Sequence, residues 1–172
     1  TYSTLDAALA ELVRQRGTPT ATWPYPNAEG VLVGLTYRRD RLGGKKTVRH
    51  VWRTADGSGW VLEGGPKPHP LYRLPDLLAS PVGSRVFVCE GEPATDAARA
   101  VGLLATTSAG GAERAKGSDW SPLAGRHVAI LVDHDGAGEK YGDDVARLCT
   151  AAGALSVRIV RLVDLWAAMP KG

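Results

Sequence analysis

No apolar run in the 172 residues is long enough to cross a bilayer, and no basic-then-apolar signal opens the sequence. The expected compartment is therefore the cytoplasm, with no membrane partner. Cysteine is nearly absent. Cys89 and Cys149 stand 60 residues apart, with no CxxC spacing and no histidine close to either. Two such thiols cannot form a zinc site, and no disulfide framework is indicated. Reduced, buried thiols and no zinc are the expectation. Internal repeats and low-complexity stretches are also lacking. What remains is 44% apolar and 23% charged, the profile of a globular protein with one ordinary domain or two small ones.

Net charge is a slight +3, but it is unevenly spread. Residues 1–85 carry 12 Lys/Arg against 7 Asp/Glu, a balance of +5, whereas residues 86–172 carry 9 against 11, a balance of −2. A basic half joined to an acidic half suits a chain that grips phosphates with one part and a divalent cation with the other.

The hydrophobic pattern changes style along the chain. Leu5, Leu9, Leu12 and Val13 recur at helical spacing over residues 3–16, with Ser3 as the expected cap and Gly17 as the stop. Residues 20–26, 31–39, 45–54 and 60–63 are extended stretches separated by turn signals, which predicts an antiparallel sheet of hairpins. Residues 74–80 form a short helix with Pro75 in its first turn. Then alternation disappears. Residues 86–89, 104–107, 127–132 and 156–162 are short strands without a polar face, interleaved with helical spacing over 95–103 and 138–152. Strands of that kind belong to a parallel sheet buried on both faces. The turn-rich stretch 81–85 marks the expected boundary, giving domains 1–84 and 85–172.

Three carboxylates fall at informative places. Glu90 follows the strand at 86–89 and Asp133 follows the strand at 127–132, so both sit at carboxyl ends of parallel strands, where open α/β sheets place their ligands. Asp135 is two residues on, and Gly136 and Gly138 allow a tight turn into a helix. Oxygen-only ligands favour a hard cation, Mg²⁺ or Mn²⁺. Glu92 either joins the metal shell or favours the first turn of the next helix. His134 points off the turn into solvent. An EF-hand would need an oxygen ligand at Ala137 and is excluded. A haloacid-dehalogenase-like phosphatase shares the Asp-x-Asp-Gly, but only 37 residues follow Asp135 to hold its later lysine and acidic pair.

The run Cys89-Glu90-Gly91-Glu92, then Leu131-Val132-Asp133-His134-Asp135-Gly136-Ala137-Gly138, each leading into a helix, resembles the TOPRIM family. That family unites bacterial-type primases, topoisomerases, some nucleases and recombination-repair proteins, and the resemblance covers roughly residues 85–163. It implies a Rossmann-like four-stranded parallel sheet flanked by helices, with Glu90, Asp133 and Asp135 holding Mg²⁺ or Mn²⁺. Topoisomerases attack with a tyrosine from a separate domain, whereas Tyr141 lies in the expected helix, so strand passage is not expected.

Upstream, residues 71–78 read LYRLPDLL. Together with the basic hairpin they resemble the β-rich lobe that precedes TOPRIM in the compact primases of phages and mobile elements. The resulting fold class is α+β / α/β, an N-terminal β-rich lobe followed by the TOPRIM sheet. Arg38, Arg39, Arg41, Lys45, Lys46, Arg49 and Arg53 lie within sixteen residues. Of these, Arg38, Lys45, Lys46, Arg49 and Arg53, with Lys67, are the candidates for phosphate contact. Trp52 and Trp60 are placed either to stack on bases or to fill the core. Gly110 and Gly111 after the second strand, with Arg114 or Lys116 nearby, are candidates for a triphosphate.

The function implied is metal-dependent primer synthesis on a single-stranded DNA template from nucleoside triphosphates, with a replicative helicase as a further partner, in trans or on the same polypeptide. The alternatives are a TOPRIM nuclease and a non-catalytic nucleic-acid-binding module. The resemblance also implies further acids after the fourth strand, following a Pro-Lys-Gly-like stretch. Asp164 is the acid left in that region before Pro170-Lys171-Gly172, so one cation site is expected fairly complete and a second deficient.

Overall fold

The computed structural model of the chain describes residues 1–111, 114–161 and Asp164. The Pro170-Lys171-Gly172 end, and with it the stretch where further acids are expected, lies outside the described residues. So does Leu162, the last residue of the expected fourth parallel strand. Two compact units are present, Thr1–Pro68 and His69–Gly172.

In the first unit, α1 (Leu5–Arg16) begins one residue later than expected, because Thr4 is extended (φ −133°) and its hydroxyl accepts from the Ala7 amide at 3.1 Å. Thr4 rather than Ser3 is therefore the cap, a contribution of about 1 kcal/mol. Gly17, at φ +91°, turns the chain out of the helix. Four strands follow: β1 (Ala21–Pro26), β2 (Leu32–Asp40), β3 (Lys46–Arg53) and β4 (Trp60–Leu62). They pair antiparallel in the order β1-β2-β3-β4. Ala8 and Leu12 of α1 pack on Leu35, Tyr37 and Val51, with Trp60 and Leu62 at the margin.

The other face of that sheet is buried too. It carries Trp23, Tyr25, Thr36, His50 and Trp52, with the Thr36 hydroxyl 3.1 Å from His50 Nδ1 and the Tyr25 and Trp52 rings edge-on at 5.6 Å. Trp52 occupies the space that a Cβ at Gly34 or Gly65 would need, 2.0 and 2.1 Å from its ring and its own Cβ.

The second unit starts with α2 (Leu74–Ala79), then β5 (Arg85–Cys89), α3 (Glu92–Ala100), β6 (Ala105–Thr106), two short 3-10 turns, β7 (His127–Val132), α4 (Gly136–Ala151) and β8 (Ser156–Arg161). The strands are all parallel, in the order β6-β5-β7-β8. Val86, Val88, Val128, Ile130 and Val132 supply the sheet's share of a core completed by Leu77, Leu123, Tyr141, Val145 and Cys149. The fold class is thus a mixed α and β one, an antiparallel sheet followed by a four-stranded parallel sheet flanked by helices.

The spatial division falls between Pro68 and His69, earlier than the turn at 81–85, and buried polar chemistry explains why. Arg126 is buried and donates to the carbonyls of Leu77 (2.7 Å), Ser80 (3.1 Å), Pro81 (2.9 Å) and Pro122 (3.0 Å), and to the Ser80 hydroxyl (2.6 Å). Hydrogen bonds from a charged donor contribute about 1.5–3 kcal/mol each. They fasten the end of α2 and the following turn to the start of β7. Leu77 inserts into the same core, so the LYRLPDLL stretch belongs with the parallel sheet.

Candidate functional site

The order β6-β5-β7-β8 contains one reversal. From β5 the chain moves outward to β6, then crosses back over β5 to form β7. The crevice beyond the carboxyl ends of β5 and β7 is therefore the topological switch point, where ligands of such sheets bind. Glu90 directly follows β5 and Asp133 directly follows β7, and the last paired positions of these neighbouring strands are Cys89 and Leu131. Backbone topology alone thus delivers both acids to one edge.

The three predicted ligands are not equivalent. Glu90 is half-buried, with its Oε2 fully enclosed, while Asp133 and Asp135 are exposed. Asp135 has a structural task as well: it is the N-cap of α4, and its Oδ1 accepts the Gly138 amide at 2.7 Å. This cap starts α4 at Gly136, two residues before the expected start. Among the described residues, no group of three or more His, Cys, Asp or Glu side chains is gathered closely enough to hold a metal ion. The backbone brings Glu90, Asp133 and Asp135 to the same edge; the side chains are not drawn together there.

The donor chemistry nevertheless fits a hard divalent cation. Burial, reinforced by the nearby Asp133 carboxylate against the opposing Thr95 hydrogen bond, pushes the Cys89 thiol up to about 11, so it offers no thiolate. That leaves carboxylate oxygens, and Glu90, Asp133 and Asp135 are the residues that could hold such an ion. Glu92 is buried in the first turn of α3, where the helix dipole favours it. His134 corrects the sequence reading. It is half-buried rather than pointing into solvent, and its Nδ1 is enclosed with no hydrogen bond among the described residues.

The sequence reading missed the polar supports of this edge. Tyr141 of α4 is fully buried, and its hydroxyl reaches the Cys89 carbonyl (3.1 Å), the Thr107 hydroxyl (3.3 Å) and the Ser108 hydroxyl (3.4 Å). Burial pushes its phenol up to about 12, so the hydroxyl remains a donor. At the end of β8, Arg161 grips Glu139 through two forked contacts of 2.8 Å, and that guanidinium holds the Glu139 carboxyl below its usual range. No spacing rule identifies such partners, because they come from four different elements.

Gly110 and Gly111 follow β6, as expected, with φ of +88° and +60°. The Gly111 amide is directed at the Ser108 carbonyl (3.4 Å), so it closes the turn, and the Arg114 side chain lies against Gly110. The segment 71–78 reaches the same loop: the Tyr72 amide donates to the Thr107 carbonyl (2.9 Å), and its carbonyl accepts from the Thr106 hydroxyl (2.6 Å).

The basic candidates of the first unit do not share a surface. Register pairs Arg49 with Tyr37 and Arg53 with Trp60 on the α1 side, and places Arg38 on the opposite face. Each of the three has a local partner: Arg38 pairs with Asp40 (2.8 Å), Arg49 with Glu63 (3.7 Å), and Arg53 donates to the Gly57 carbonyl (3.1 Å). Lys45 and Lys46 are exposed at the β2–β3 hairpin tip beside Arg41 and the fully exposed Leu42, and Lys67 is exposed. Trp52 is buried and Trp60 packs on the α1 core, so both serve packing rather than base stacking.

No protein-family model and no curated protein matches the sequence. Solved structures do match in fold. A chain in the assembly of bacteriophage T7 lagging-strand DNA polymerase with the primase domains of two gp4 subunits, an RNA/DNA hybrid and dTTP aligns at TM-score 0.53 and 18% identity. That alignment covers 92% of this chain and 79% of the other. The primase fragment of the bacteriophage T7 primase-helicase aligns at TM-score 0.56 and 17% identity over 93% of this chain and 64% of its own. The DnaG catalytic core aligns at TM-score 0.56 and 14% identity over 98% of this chain, which spans only 54% of that core. At such identities the likeness is one of fold, and that fold is similar to primase catalytic cores.

Proposed function

We propose that this chain is a TOPRIM-type DNA primase core. It would synthesise a short primer on single-stranded DNA by nucleotidyl transfer, with Mg²⁺ or Mn²⁺ held by Glu90, Asp133 and Asp135. One observation carries the reading: an acid follows each of the two strands that flank the reversal in the order β6-β5-β7-β8. The similarity to primase folds supports it across both units.

The bound cation would orient the triphosphate and neutralise charge that develops on the transferred phosphate and the leaving pyrophosphate. Glu90, fixed at a strand end and partly enclosed, would be the more rigid ligand. Asp133 and Asp135 would contribute ligand oxygens from an exposed turn that the α4 cap holds in place. Arg114 beside Gly110 lends positive charge to the loop that would face the triphosphate. Template and nucleoside triphosphates are the substrates, and a replicative helicase is the partner suggested by the T7 primase-helicase.

The test is direct. Incubation with a single-stranded template, Mn²⁺ and labelled nucleotides should give products longer than a dinucleotide, with the template intact. Template degradation without triphosphates would replace this reading with a nuclease, and binding without either product would leave a nucleic-acid-binding module.

Template grip follows from the hairpin tip rather than from the paired arginines. The double variant Lys45→Gln, Lys46→Gln should weaken single-strand binding and reduce the slope of log K against log salt by up to about 1.4, at about 0.7 per lost phosphate contact. Fluorescence anisotropy across a salt series measures it. An unchanged slope would show that the tip touches no phosphate.

A further inference from the structure

Glu90 is bracketed by a chain of hydroxyls. The Gly91 amide, one residue after it, donates to the Thr107 hydroxyl at 3.0 Å. That hydroxyl lies 3.3 Å from Tyr141 Oη, and Tyr141 Oη donates to the carbonyl of Cys89, one residue before Glu90, at 3.1 Å. Proton bookkeeping orients the chain. Tyr141 has one hydroxyl proton, given to Cys89, so its oxygen is left to accept from the Thr107 hydroxyl (3.3 Å) or the Ser108 hydroxyl (3.4 Å), and the Thr107 proton is shared between Tyr141 and the Ser108 carbonyl at 3.4 Å. The contacts then link the Gly91 N–H through Thr107 and Tyr141 to the Cys89 carbonyl, and aligned hydroxyls strengthen one another.

The sheet explains why the bracket is needed. Strand β6 pairs with β5 only as far as Thr106 opposite Val88. Beyond that point no β6 ladder position faces Cys89 or Gly91, and side-chain hydroxyls take its place. If packing were the only demand on residue 141, phenylalanine would fill the volume. A fully buried hydroxyl is costly unless bonded, and here it is spent on the peptide groups that frame one acid.

We infer that Tyr141 and Thr107 are positioning residues for Glu90, holding its peptide frame at the orientation in which the carboxylate meets a divalent cation. The inference rests on the reading of Glu90 as a metal ligand. Partners of this outer kind typically cost about 10- to 100-fold in metal affinity when removed.

The experiment is Mn²⁺ titration of the full chain, by calorimetry, with Mn²⁺ alone as the probe. Tyr141→Phe and Thr107→Val should each weaken Mn²⁺ binding about tenfold. The double variant should lose little more than either single one, because both break the same chain. Thr107→Ser, which keeps the hydroxyl, should restore binding, and Thr107→Val should speed hydrogen exchange at the Gly91 amide. Val145→Ala, a core truncation in the same helix, should lower the melting temperature more than Tyr141→Phe while keeping wild-type Mn²⁺ affinity. Glu90→Gln separates the two ideas. If it weakens binding while Tyr141→Phe and Thr107→Val do not, the positioning role is overturned and the metal reading stands. If Glu90→Gln leaves binding unchanged, the metal reading falls and this inference with it.

Discussion

Glu90→Gln and Asp133→Asn are each expected to lower nucleotidyl transfer by roughly a hundred- to a thousandfold, the usual cost of removing one preorganised electrostatic group. Both substitutions preserve side-chain volume, and neither residue is in the packed core. The melting temperature should therefore stay level or rise slightly as repulsion between neighbouring carboxylates is relieved. Asp135 behaves differently because it does two things. Asparagine is as good an N-cap as aspartate, so Asp135→Asn should lose activity at nearly constant stability. Asp135→Ala also loses the bond from the Gly138 amide and should cost about 1 kcal/mol of stability. Single-turnover extension assays and thermal melts on the same four variants read both quantities. Normal turnover in Glu90→Gln would remove the carboxylates from the chemistry.

The strands and helices were legible because their signals are local. Continuous apolar runs at 86–89 and 127–132 became the two central strands, and both candidate acids landed at their ends. Asp135 as a helix cap was equally readable in principle, since an aspartate just before a helical pattern is the standard start signal. Gly136 and Gly138 are poor helix formers, so the helical pattern is legible only from residue 138, two residues after α4 starts. Other features leave no local trace. Arg126 joins α2 to β7 across more than forty residues of sequence, so the division of the chain into units could not be read from the turn at 81–85. That the basic residues at 38–53 cannot all face one side follows from strand alternation alone, but their ion-pair partners leave no local trace. Strand alternation and the ion pairs to Asp40 and Glu63 divide the cluster, and they leave the lysines at the hairpin tip as the exposed remainder. Tyr141 shows the same limit from the other side. The sequence places it within a helix, while its partners at 89, 107 and 108 are set by tertiary structure.

Gly138→Ala should destabilise the protein and damage the candidate metal site together, although alanine is the better helix former. On an open helix the substitution would gain about 1 kcal/mol. Here the added Cβ would stand 2.4 Å from the Asp133 carbonyl oxygen and 2.9 Å from the Asp133 nitrogen, both backbone atoms that no rotamer change can move aside. Relieving an overpacked contact of this sort costs about 1–3 kcal/mol, so the steric term outweighs the propensity gain. Either the first turn of α4 lifts, breaking the 2.7 Å cap between the Gly138 amide and Asp135, or the strand end carrying Asp133 shifts. Both routes separate Asp133 from Asp135. A fall of several degrees in melting temperature is expected for a net loss of up to about 2 kcal/mol in a chain of this size. Mn²⁺ binding should weaken with it. Gly136→Ala provides the contrast, since its Cβ would meet nothing within 4 Å. That variant should melt at or slightly above the wild-type temperature and keep its Mn²⁺ affinity. Wild-type stability and Mn²⁺ binding in Gly138→Ala would show that the turn yields freely, and that the close approach of α4 to Asp133 does not hold the acids in place.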